Sequence, residues 1–109
     1  MSFEAHTTHV NNNALIGSPS QVIELYDIFL KGTSGQVSGY LFEATSMGET
    51  GTNAVNERFM LSDTTGSAIG YSATALASFC DGLKFYKGCW FLSGTNFSYA
   101  VITYGAEVK

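Results

Sequence analysis

Apolar and aromatic residues fall in short runs along this chain, each closed by Gly, Asn, Ser or Asp. Short aromatic and β-branched runs between such breakers are the pattern of strands. The clearest stretch is 79–105, FCDGLKFYKGCWFLSGTNFSYAVITYG. Asp81-Gly82 reads as a tight turn into a strand from Leu83 to Tyr86. Lys87-Gly88 breaks that strand, Cys89 to Leu92 forms the next, and Ser93-Gly94-Thr95-Asn96 ends it. Phe97 to Tyr104 closes the series. Within Tyr99–Tyr104 one face carries Tyr99, Val101 and Thr103, and the other carries Ala100, Ile102 and Tyr104. Both faces are largely apolar, so this strand is expected to be central or covered on both sides. A second face left uncovered by the chain itself calls for an oligomer.

Upstream, Val22 to Leu30 fits two patterns. Val22, Leu25, Tyr26 and Phe29 share a helical face, and Ser18-Pro19-Ser20-Gln21 could cap a helix. The run has the length of a strand, and its neighbours read as strands, so a strand is expected. Gln36 to Glu43 is the next strand, and Thr33-Ser34-Gly35 predicts an antiparallel hairpin between the two. Thr45 to Asn56 is a polar loop, long for a compact domain. Arg58 to Leu61 is a short strand, 63–67 a turn, and Ile69 to Phe79 a strand or one helical turn. The sum is an all-β chain: an antiparallel β-sandwich or jelly-roll-like barrel of about seven or eight strands, spanning 21–109. Residues 1–20 are mostly polar and include Asn11-Asn12-Asn13, which predicts an extended N-terminal arm. Such an arm either frays or adds a strand to a neighbouring subunit.

Composition narrows the partners. Charged residues make up 13% of the 109 residues, about half the usual share. A surface of Ser, Thr, Asn and Gly suits a protein covered by partners. The formal charge is −4, with five scattered Lys and Arg, whereas a nucleic-acid partner requires clustered basic residues. The first residues lack the basic-then-apolar order of a secretory signal, and no apolar run reaches membrane-spanning length. A cytoplasmic origin and no membrane partner are therefore expected. Cys80 and Cys89 are then expected as free thiols rather than a disulfide.

Candidate chemistry is thin. Glu4, His6 and His9 form E-x-H-x-x-H, which could share an ion only if a helical turn brought the histidines together. The nine carboxylates include no singled-out pair of the glycosidase kind. Neither a G-x-S-x-G elbow nor a phosphate-binding loop is present. No enzyme activity and no cofactor are expected. Tyr86, Trp90, Tyr99 and Tyr104 could line a sugar-stacking surface, although such residues more commonly form cores and interfaces. Trp90, mid-strand, is expected in the core.

The order Phe79, Asp81-Gly82-Leu83, Phe85, Gly88, Trp90, Ser93-Gly94-Thr95, Val101 and Tyr104 resembles the ending of small structural proteins of tailed bacteriophages. Tyr40-Leu41-Phe42-Glu43-Ala44-Thr45-Ser46 resembles their strand-and-turn middle, and Ser18-Pro19 their opening, so the likeness spans 17–105. It departs at Lys87-Gly88-Cys89-Trp90 and in the N-terminal segment. The resemblance implies a virion component of the head decoration or cement type, on the capsid surface, bridging neighbouring capsid subunits. Its implied partners are the major capsid protein and further copies of itself, as a trimer. The contacts expected in that role are Phe3, His6, His9 and Val10 of the arm and Met47, Glu49 and Asn53 of the long loop, chosen for their place in segments without a core pattern. The alternatives are a glycan-binding module of a head or tail fibre, and a connector or tail subunit.

Overall fold

The computed structural model describes residues 2–45, 57–63 and 73–108. Eight strands follow in order: β1 (Ser2–Val10), β2 (Ala14–Ile16), β3 (Ile23–Gly32), β4 (Val37–Phe42), β5 (Glu57–Asp63), β6 (Thr74–Phe85), β7 (Cys89–Ser93) and β8 (Phe97–Val108). They form two four-stranded sheets, β1-β8-β3-β6 and β2-β7-β4-β5. The chain behaves as one ribbon folded back on itself. From the middle outward, β4 pairs with β5, β3 with β6, β2 with β7 and β1 with β8, all antiparallel. The ribbon then rolls so that β3 also meets β8 and β4 meets β7. That wrapping is a jelly roll, and it agrees with the all-β sandwich expected from the sequence.

Alternation in the strands builds the core. Leu25, Ile28 and Leu30 of β3, Ala100 and Ile102 of β8, and Phe85 of β6 point inward from the first sheet. Ile16, Leu41, Cys89 and Phe91 meet them from the second. Each large side chain among these contributes roughly 1.5–3 kcal/mol by leaving water.

Several expectations need correction. The segment expected as an extended arm contains β1, which pairs in register with β8 from Ser2↔Val108 to Val10↔Ala100. It reads as polar because it is an edge strand whose inward residues Glu4 and His6 line a cleft rather than the closed core. The hairpin across Thr33-Ser34-Gly35 does not form. The turn instead carries the chain from one sheet to the other, so β3 and β4 face each other across the core. Asp81-Gly82 is not a turn: β6 runs through it to Phe85. Gly82 takes a left-handed φ of 78°, and a Cβ there would collide with the Glu24 side chain, so this position bends the strand without ending it. Ser18–Gln21 is a turn closed by the Gln21 N–H on the Ser18 carbonyl, not a helix cap. The expected loop at 46–56, the turn residues 64–67 and the start of the segment at 69–72 lie outside the described residues.

Candidate functional site

Two surfaces of the first sheet merit description. The inner one is a cleft of about 380 Å³ beneath the β1 edge, lined by Glu4, His6, Gln21, Tyr104 and Glu107 among others. It exists because β2, the facing edge of the second sheet, is only three residues long and cannot cover β1. The His6 ring stacks on Tyr104, with centroids 5.4 Å apart and planes at 28°. His6 Nε2 lies 3.5 Å from Glu4 Oε1. Gln21 Nε2 donates to the Glu107 carbonyl at 2.9 Å, which ties the β2–β3 connection to β8. Burial, followed by the nearby Cys89, pushes the Tyr104 hydroxyl above its ordinary pKa, so it stays protonated as a donor. The cleft therefore offers an imidazole, a carboxylate and a phenol.

It does not assemble a metal site. Residues three apart on a strand point to opposite faces. His6 turns inward onto Tyr104, while His9 turns outward and stacks on Tyr99 at 4.9 Å. Among the described residues no group of three or more His, Cys, Asp or Glu is placed to hold a metal ion.

The second surface is the outer face of the same sheet. Register places His9 of β1 beside Val101 of β8, Val101 beside Phe29 of β3, and Phe29 beside Leu76 of β6. One row thus crosses all four strands. Tyr99 packs diagonally against it, 6.2 Å from the Phe29 ring centroid. Leu76 is 66% exposed. Phe29, Tyr99 and Val101 are half-buried, and His9 is exposed. β8 is central in its sheet, as expected, and no other described strand covers its second, half-buried face. At the far end Tyr26 lies across Gly105: a Cβ there would sit 2.5 Å from the Tyr26 hydroxyl and 3.0 Å from the Phe3 Cβ. The glycine lets the ring cross β8 flat on the sheet.

Charges on this face are of two kinds. Glu24 and Lys84, opposite each other on β3 and β6, form an ion pair at 3.0 Å. Asp27 and Lys31 flank Phe29 on the same face of β3, facing Ser78 and Thr103 in one case and Thr74 and Tyr99 in the other. Neither takes part in an ion pair with another described residue.

The expected contact residues are therefore split. Phe3 and His9 lie on the outer face, His6 faces the cleft, and Val10 packs against the core. Met47, Glu49 and Asn53 lie outside the described residues. The sequence reading did not single out Phe29, Leu76, Asp27 or Lys31. The signal available for Leu76 was the alternation of Ala73, Ala75 and Ala77 with larger or polar neighbours. Trp90, expected in the core, stands between the inward Cys89 and Phe91 and so faces outward, half-buried beside Phe42. Both cysteines are free: Cys89 is buried and Cys80 exposed. Comparison with protein-family models, curated proteins and solved structures finds no match to this chain.

Proposed function

We propose that this chain is a non-enzymatic structural subunit of a phage virion, a capsid decoration or cement protein that bridges and stabilises neighbouring capsid subunits. The observation that carries the reading is the outward row His9–Val101–Phe29–Leu76, which no other described strand covers. A jelly roll that has already closed its core keeps Val101, Phe29 and the exposed Leu76 aligned on the outward face of three neighbouring strands, with His9 at the end of the row. Exposed apolar surface of this extent marks an interaction site. The resemblance over 17–105 supplies the virion setting. A cement subunit works through buried area across a seam, about 1,200–2,000 Å² for a standard interface, and needs no catalytic group.

The test is binding of the purified chain to empty heads built from the major capsid protein of the same virion. Saturable occupancy at a fixed ratio to capsid subunits is expected, together with greater resistance of the heads to heat. Heads that remain bare at saturating concentrations would reject the reading. Saturable glycan binding lost in Tyr86→Ala, at a side chain 60% exposed, would move the function to a fibre module.

A further inference from the structure

We infer that the outer face of the first sheet takes a second copy of this chain, face to face, about a two-fold axis lying along the row His9–Val101–Phe29–Leu76. The inference deepens the assembly reading by naming the partner of that face. It rests on the face being an interface, not on the virion setting.

The charge pattern selects this geometry. Asp27 and Lys31 stand two positions to either side of Phe29, allowing for the bulge at Leu25/Asp27, and neither has an opposite charge within the described chain. Rotation about an axis along the row carries each side of the row onto the other. Phe29 then meets Phe29, Val101 meets Val101, and Lys31 of each copy faces Asp27 of the other, giving two complementary contacts. A two-fold axis along the strands would instead put Lys31 over Lys31. The remaining positions near the row are neutral hydroxyls, namely Thr7, Tyr99, Thr103, Thr74 and Ser78, which add no charge repulsion. The charges that would oppose close approach, Glu24 and Lys84, already neutralise each other.

Size agrees. Four strands about 4.8 Å apart, overlapping over roughly eight residues at about 3.3 Å each, give a plate of about 19 by 26 Å, or roughly 500 Å² per copy. The total of about 1,000 Å² is where specific interfaces begin. An isologous contact of this kind closes at two copies. The trimer implied by the resemblance would place head-to-tail contacts on this face and leave its self-complementary pattern unused.

Sedimentation equilibrium of the full chain tests it. A mass of twice 11.7 kDa is expected in the micromolar range. Lys31→Asp and Asp27→Lys should each weaken the dimer at least about tenfold, and the double swap in one chain should return it to within about threefold of the parent. Leu76→Ser, at an exposed position with little role in folding, should also weaken it. Unchanged thermal unfolding of each variant in dilute solution shows that folding is intact. A chain that stays monomeric at hundreds of micromolar overturns the inference. So does a mass of three copies, or a double swap as weak as the single ones. Heads decorated by a monomeric chain would overturn the dimer and leave the virion role standing, whereas a swap-sensitive dimer that never docks on heads does the reverse.

Discussion

The outer faces of the two sheets both carry a row with apolar residues, yet they differ. On the first, the row His9–Val101–Phe29–Leu76 ends in a leucine 66% exposed, flanked by Asp27 and Lys31, which form no ion pair with another described residue. On the second, register aligns Leu15, Trp90 and Phe42, with Leu92, Tyr40 and Met60 in the adjoining row. There Phe42 is only 6% exposed, and the Trp90 indole nitrogen is buried without a hydrogen-bond partner among the described residues. The Phe42 end of the second face is already sealed within the chain. Outward apolar residues alone therefore do not define an interface. The proposed interface rests instead on alignment across strands with complementary charge beside it.

Phe42→Ala is the strongest way to break this contrast. If Phe42 belongs to a sealed layer, its loss should cost about 3–4 kcal/mol, as for a buried phenylalanine. Urea unfolding should show a lower midpoint with an unchanged slope. A cost under about 1 kcal/mol, typical of surface positions, would mean that the two outer faces are alike.

Glu43 sharpens the contrast at the seam between the sheets. Directly after Phe42, its carboxylate accepts hydrogen bonds from Arg58 Nη1 at 2.8 Å, the Tyr86 N–H at 2.6 Å and the Lys87 N–H at 3.0 Å. Arg58 also donates to the Lys84 carbonyl at 3.0 Å and lies over the Phe85 ring. The end of β4 and its neighbour β5 are thus tied to the end of β6. Burial pushes the Glu43 carboxyl up, but the Tyr86 N–H, Arg58 and the Lys87 N–H outweigh it and hold its pKa below the ordinary 4.5. A depressed folded-state pKa contributes stability above 4.5 that is lost as pH falls through the folded value. Glu43→Gln should therefore cost about 1–3 kcal/mol at neutral pH. It should also flatten the acid limb of the stability curve below pH 4.5. An acid limb as steep as the parent's would show that Glu43 does not tie the sheets.

These differences explain what the sequence could and could not disclose. The strands of the last third are legible because Cys89–Leu92 and Phe97–Tyr104 are apolar and aromatic runs bounded by Gly, Ser and Asn. The helix-like spacing in the third strand has a physical cause. A register shift between Leu25 and Asp27 breaks the strict alternation, so the helix-like set Val22, Leu25, Tyr26 and Phe29 is no single face of the strand: Leu25 is in the core, whereas Tyr26 and Phe29 lie on the outer face. The Thr33-Ser34-Gly35 turn misleads because a short loop can join paired strands or cross a sandwich, and only the distant partners β6 and β5 decide. Gly82 at positive φ serves a turn or a bulge equally well. The outer row was illegible because His9, Phe29, Leu76 and Val101 are far apart in sequence and meet only through register. The one part that could be seen in advance was the second apolar face of β8, since both faces of one strand can be read locally.

The smallest expected effect tests the open face itself. Leu76→Ser should change the stability of the dilute monomer by less than about 0.5 kcal/mol, because a side chain 66% exposed has little burial to lose. The two thiols provide a sensitive gauge. Exposed Cys80 should react at once with a maleimide, while Cys89 between the sheets should react only when the sandwich opens. Burial, then the charge of Glu43, pushes the Cys89 thiol far above its ordinary pKa, against a smaller opposing effect of Arg58, so the closed state supplies almost no thiolate. When closing outpaces labelling, the Cys89 rate follows the opening equilibrium, at about tenfold per 1.4 kcal/mol. Leu76→Ser should thus leave it within about twofold, whereas a loss of about 3 kcal/mol in Phe42→Ala should raise it more than about a hundredfold. A Leu76→Ser rate that climbs toward that of Phe42→Ala would mean that the first face is part of the fold's own packing. A rate that stays flat in dilute solution, with the dimer weakened at higher concentration, assigns Leu76 to association alone.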